Sequence, residues 1–149
     1  MSGSRSRPPA RGPIIDRVDR DQLARRGLAQ PVPANTPDPA MIVSCGAPLP
    51  GYRLRIIDER GTEVGERIEG NLQFAGPSAT SGYFRNVEAT ERLLCGMWRN
   101  TGDRAYLAAG ELYITGRAKD IVIRRGRHIY PEEIENAVGE LSGVRRGCV

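Results

Sequence analysis

The chain has 149 residues, 39% of them hydrophobic, which is enough for one domain core, and its 22 basic and 18 acidic residues leave a net charge of +4. The two signs are interleaved over most of the length, which argues against a dedicated nucleic-acid surface, as does an aromatic content of 5%. No run of about 18 apolar residues occurs, and the basic start is not followed by an apolar stretch, so neither a membrane span nor an export signal is expected and the predicted location is cytoplasmic.

Residues 1–13 are rich in Ser, Arg, Pro and Gly and are predicted to be a disordered basic tail. Over 14–41 an extended segment with one short helix is expected. Ile14, Ile15 and Val18 are its first apolar anchors, Asp19-Arg-Asp-Gln22 reads as a capping box, and Gly27 ends the helix. Pro31, Pro33, Pro37 and Pro39 then forbid regular structure.

A β-rich unit is expected over 42–116. Tyr52, Leu54 and Ile56 alternate with Arg53 and Arg55, so one face of that strand is buried and the other wet, and Asp58-Glu-Arg-Gly61 closes it as a turn. Leu72 and Phe74 repeat the alternation against Asn71 and Gln73. The fold class is therefore mainly β with short helices, an α+β arrangement built on an antiparallel meander or small barrel. Gly76-Pro-Ser-Ala-Thr-Ser-Gly82 is a glycine and hydroxyl loop without the Gly-Lys-Ser/Thr ending of a P-loop, and reads alone as a structural turn. Asn86 caps a helix running from Val87 to about Leu94, which Gly96 stops.

Trp98 leads into Thr101-Gly-Asp103, read as a turn at the mouth of a hairpin whose far end is Ala109-Gly110 and whose second strand is Glu111-Leu-Tyr-Ile-Thr115. Asp103 there serves either turn chemistry or a ligand. Gly116-Arg-Ala-Lys-Asp120 interrupts the strands and contains Lys119, the only lysine of the chain. The acid Asp103 and the guanidinium of Arg117 suit a nucleotide, because a carboxylate can accept from two vicinal hydroxyls while arginine offers a fork of donors to ribose or phosphate oxygens. Arg124-Arg-Gly-Arg-His128 is a basic turn in which Gly126 supplies a positive φ or a close backbone approach. The single histidine, His128, has no acid beside it in sequence and reads as structural rather than as a catalytic base. Pro131 opens a final helix with Ile134, Ala137, Val138 and Leu141 on one face. Cys45, Cys95 and Cys148 form no Cys-x-x-Cys pair, so neither a disulfide framework nor a metal site is expected.

Taken together, Gly76-Pro-Ser-Ala-Thr-Ser-Gly-Tyr-Phe84, Trp98-Arg-Asn-Thr-Gly-Asp103, Gly116-Arg-Ala-Lys-Asp120, Gly126 and Tyr130-Pro-Glu-Glu-Ile-Glu135 resemble, in order and approximate spacing, the motifs of the adenylate-forming superfamily of acyl and aryl ligases. Val43-Ser-Cys-Gly-Ala-Pro-Leu-Pro-Gly51 and Gly126-Arg-His-Ile-Tyr-Pro131 look most like its fatty-acyl-AMP ligase branch. The resemblance implies that 42–116 is the β-rich end of a large AMP-binding domain, 117–120 a hinge, and 121–149 the truncated start of a small lid domain. It further implies ATP with Mg2+, a fatty acid, and a thiol acceptor on an acyl carrier protein or coenzyme A. Asp103 and Arg117 become nucleotide-binding residues, Lys119 the hinge, and Gly126 part of the loop lining the thiol's approach. No catalytic residue is assigned, because the family's phosphate loop and its lysine near the carboxy terminus have no counterpart before Val149. The expectation is a ligase fragment, inactive alone, with a small basic binding protein or a non-catalytic remnant as the alternatives.

Overall fold

The computed structural model describes residues 12–145. Most of the tail expected at 1–13, together with Cys148, lies outside the described residues.

β1 (Ile15–Val18) runs into α1 (Arg20–Arg26). Asp19 caps that helix by accepting from the Gln22 amide, and Gly27, at φ +63°, closes it with its own amide on Gln22 and Leu23 carbonyls. The proline-rich stretch that follows carries only an isolated bridge, Val18 to Pro31, before β2 (Ala40–Gly46) begins. β1 pairs with β2 from Ile15–Val43 to Val18–Ala40, so the first apolar anchors of the segment expected to be extended are themselves sheet. Its period-2 pattern is too short to announce this; the pairing comes from β2, which lies on the far side of four prolines.

β3 (Arg53–Ile57) and β4 (Gly70–Ala75) form one antiparallel pair, and β6 (Trp98–Ala108) and β7 (Glu111–Arg117) another. The strand order is β1-β2-β7-β6-β4-β3, with the short β5 (Leu94–Cys95) also on β6. Ala109 at φ +51° and Gly110 at φ +76° make the β6–β7 connection a two-residue turn of the mirror-image type that matches strand twist. α2 (Val87–Leu93) starts at Asn86, whose side chain accepts from the Ala89 amide, and ends before β5, so Gly96 belongs to the turn into β6 instead of ending the helix.

Alternation along β6 and β7 places a core on each face of the sheet. Tyr106, Ala108 and Tyr113 pack with Val18, Leu23, Ala29 and Ala40; Ala105 and Leu112 pack with Ile56 and Leu72. Tyr106 and Tyr113 stack with centroids 5.1 Å apart, and the Tyr106 hydroxyl donates to Asp16 Oδ2, which also accepts from Arg67 Nη1. β4 departs from the expected wet face. Gln73 is buried, taking Arg55 Nε on its Oε1 at 2.8 Å and giving its Nε2 to Asn100 Oδ1 at 2.5 Å, so a paired amide occupies a core position. Arg55 is likewise half-buried, its guanidinium 4.3 Å from the Trp98 ring centroid.

The segment after β7 forms a two-stranded ribbon, β8 (Val122–Arg124) and β9 (Arg127–Ile129), followed by α3 (Pro131–Gly139). α3 ends short of Leu141, and the apolar face expected on it stays open, with Ile134 and Leu141 exposed. Among the described residues no helix is long and apolar enough to cross a membrane.

Two buried phenols set an alkaline limit. Burial first, then the bond to Asp16, raises the Tyr106 pKa well above its ordinary value; burial first, then the Glu69 charge, does the same for Tyr130. Both stay protonated in the folded chain while their unfolded counterparts ionise near pH 10. Their contribution is therefore whole below about pH 10 and falls above it, by roughly 1.4 kcal/mol per pH unit for each group. Denaturant midpoints measured from pH 8 to 11.5 are expected to hold level to about pH 10 and then drop, less steeply in Tyr106→Phe.

Candidate functional site

The structure places Asp103 at the open end of the β6–β7 hairpin as expected, but within β6 and not in a separate turn. Between Gln73–Asn100 and Asn71–Arg104, β4 advances two residues while β6 advances four, so Thr101, Gly102 and Asp103 bulge from the ladder opposite Leu72. Gly102 takes φ +81° to make the bend. Thr101 Oγ1 donates to the Leu72 carbonyl at 3.2 Å and accepts the Asp103 amide at 3.0 Å, which fixes the bulge from both sides. The Thr-Gly-Asp sequence that reads as a turn is thus used to bend a long strand.

Directly across, Asp103 pairs with Arg117, the last residue of β7. Arg117 Nε lies 3.4 Å from Asp103 Oδ1; the arginine is 63% exposed and the aspartate 21%. An ion pair this open contributes little to folding, which leaves both groups available to a ligand. The chain then turns: the Ala118 amide reaches the Gly102 carbonyl at 2.9 Å, and the Asp120 and Ile121 amides both reach the Arg117 carbonyl. A cavity of about 420 Å³ opens here, lined by Tyr83, Asn100, Thr101, Arg117 and Lys119 among others. The sequence-predicted Arg117 and Lys119 therefore share one cavity wall, with Asp103 paired to Arg117. Gly126 does not join them. It sits in the β8–β9 turn at φ +73°, after Arg125 at φ +51°.

A second constellation escaped sequence reasoning. The Glu69 side chain is fully buried just before β4, where its Oε1 accepts from Thr115 Oγ1 and from the Tyr130 hydroxyl at 2.8 Å, and its Oε2 accepts from Arg104 Nη2 at 3.2 Å. His128 Nδ1 stands 3.5 Å from the same Oε2. The acid that the histidine lacks in sequence is thus supplied from a residue 59 positions earlier, at the entry to β4. Thr115 reaches it because β7 carries one extra residue where the β6 register steps from Arg104–Gly116 to Ala105–Ile114. No local pattern marks Glu69, since its hydrogen-bond partners lie 35 to 61 residues away. Among the described residues no group of three His, Cys, Asp or Glu side chains gathers as a metal site, and Cys45 and Cys95 are free and exposed.

No protein-family model matches the chain. It is 37% identical over 144 residues to a protein of Caulobacter vibrioides with the provisional name acyl-CoA synthetase, covering 95% of this chain and 25% of that one. It is 35% identical over 103 residues to the long-chain-fatty-acid–CoA ligase of Salmonella typhimurium, covering 68% of this chain and 18% of that one. A solved structure from a study of fatty acyl-adenylate ligases of E. coli and L. pneumophila superposes with a TM-score of 0.80 at 39% identity, over 88% of this chain and 24% of its own. The chain thus spans about a quarter, or less, of the length of the proteins it matches. Sequence and fold agree along most of the chain, which belongs to the adenylate-forming superfamily of acyl-CoA and fatty acyl-adenylate ligases.

Proposed function

We propose that this chain supplies the ribose-binding acid, the hinge and the start of the lid in an ATP-dependent ligase of the fatty-acyl-AMP type. The observation that carries the reading is the pair of Asp103, on a strand bulge, and Arg117 across from it, the arginine lining a cavity together with Lys119. A carboxylate that gives one oxygen to an exposed guanidinium retains acceptor capacity for a vicinal diol, and the guanidinium retains N–H groups for ribose or phosphate oxygens.

In the first half-reaction a fatty carboxylate attacks the α-phosphorus of ATP, the bond from that phosphorus to the α–β bridging oxygen breaks, and pyrophosphate leaves with the electron pair. In the second, a thiol of an acyl carrier protein or coenzyme A attacks the acyl carbon, the bond from that carbon to the phosphate oxygen breaks, AMP departs with the electron pair, and the thiol proton passes to solvent. Asp103 and Arg117 act in both by holding the nucleotide, since such chemistry depends mostly on positioning and charge stabilisation. The triphosphate and acyl sites belong in this reading to the parts of the relatives that the chain does not span. A strip of exposed apolar side chains, Ile15 beside Val43 with Met41 and Ile114, is the kind of surface a larger body covers.

The test is pyrophosphate release with ATP, magnesium and a panel of fatty acids. A complete ligase carrying this sequence is expected to show fatty-acid-dependent release and the 149-residue chain none; release by the chain alone overturns the reading. Lys119 sits third in the turn that the Asp120 amide closes on the Arg117 carbonyl. A proline there restricts Ala118 and disfavours that turn. Lys119→Pro in the complete ligase is expected to depress thioester formation about tenfold while leaving adenylate formation within roughly twofold. Equal loss of both half-reactions counts against a hinge at this position.

A further inference from the structure

We infer that the buried carboxylate of Glu69 is a latch that seats the segment following the 117–120 turn on the sheet, and that Tyr130 and His128 are the contacts broken when that segment moves. The seating is a property of the chain itself; only its meaning as lid control rests on the ligase reading.

The partners of Glu69 divide at the turn. Arg104 on β6 and Thr115 on β7 precede residues 117–120, whereas His128 on β9 and Tyr130 at the cap of α3 follow them. When the later segment departs, Oε1 keeps Thr115 and Oε2 keeps Arg104, so the carboxylate is never stranded without a donor in the core. That distinguishes it from a structural acid with all its partners on one rigid body, where release leaves a buried charge uncompensated. On the moving side Tyr130 is the hydrogen-bonded contact, while His128 only approaches, its Nδ1 standing 3.5 Å from Oε2 without a hydrogen bond.

Glu69 is itself held in place. Its amide donates to the Gly27 carbonyl at 2.7 Å, and the neighbouring Arg67 carbonyl accepts the Ala29 amide at 2.8 Å. The exit of α1 thereby fixes the latch to the body of the sheet. A second tie runs from Arg20 to Glu133 at 3.0 Å; its side chains are 29% and 22% exposed, so salt weakens it only in part. The Tyr130 bond, on a carboxylate with no exposed surface, is not screened in this way.

Hydrogen exchange of the 149-residue chain, with no nucleotide or acyl substrate present, tests this. Tyr130→Phe removes one hydroxyl and keeps the ring. It is expected to raise exchange about tenfold across residues 122–139 and to leave strands β6 and β7 within roughly twofold of the parent chain, at low salt and at about 0.5 M NaCl alike. Glu69→Gln is expected to give a larger rise in the same window. Tyr52→Phe, which removes a hydroxyl bonded to Ser78 away from the latch, is expected to change nothing in it. The inference is overturned if residues 122–139 exchange unprotected in the parent chain, if Tyr130→Phe leaves them unchanged, or if it loosens β6 and β7 equally. Because the measurement uses no ligase substrate, its failure leaves the pyrophosphate test standing, and the converse also holds.

Discussion

Asp103→Ala is expected to lower kcat/KM for ATP by roughly a hundredfold in a complete ligase carrying this sequence, about 3 kcal/mol, while Asp58→Ala leaves it near the parent value. The two acids differ in what they hold. Asp58 Oδ1 accepts the Arg60 and Thr62 amides at 2.9 and 2.8 Å, so it closes an exposed turn. Asp103 has an exposed arginine across the ladder, and that arginine lines a cavity. Stability is expected to rank the pair the other way: Asp58→Ala loses turn bonds worth about 1 kcal/mol, and Asp103→Ala loses only an open ion pair. Melting curves and pyrophosphate exchange on both variants separate the roles. Equal ATP dependence in the two would remove Asp103 from the nucleotide site.

Local chemistry was legible in the sequence and long-range chemistry was not. The caps at Asp19 and Asn86, the reversal at Ala109-Gly110 and the positive φ at Gly126 each depend on residues within four positions, and the structure shows all of them. The Thr101-Gly-Asp103 reading failed because the same residue types that make a turn also make a bulge, and only the partner strand decides between them. Gln73 was assigned to the wet face by alternation, yet Arg55 and Asn100 satisfy its amide and bring it inside. Glu69 is the extreme case, its partners drawn from three strands and a helix cap. Asp103 and Arg117 stand out in the sequence only as an acid and a guanidinium a short distance apart; that they face each other across strands needs the register of β6 on β7.

Among the described glycines, Gly70→Ala is expected to be the most destabilising substitution by alanine, at about 3 kcal/mol or more. Gly70 begins β4 between two partners, beside Ile57 on one side and opposite Ala105 on the other. A Cβ there runs into the Ile57 carbonyl oxygen and lies 2.8 Å from Ile56 Cγ2 and 3.0 Å from the Ile57 carbonyl carbon. The obstacle is backbone in a paired strand, so relief requires β3 to separate from β4 and takes Ile56, one of the most buried side chains, with it. Gly76 provides the graded comparison: the atoms nearest a Cβ there belong to the Tyr52 ring, which can swing outward at the cost of its bond to Ser78. Gly65 has open space around it and no positive φ, so alanine there is expected to be neutral or stabilising by up to about 1 kcal/mol through the unfolded chain. Thermal melts are expected to order the three variants Gly65→Ala, Gly76→Ala, Gly70→Ala from most to least stable, with Gly70→Ala down by roughly 6 to 12 °C. A Gly70→Ala chain that melts with Gly65→Ala would mean that β3 and β4 are not paired as described.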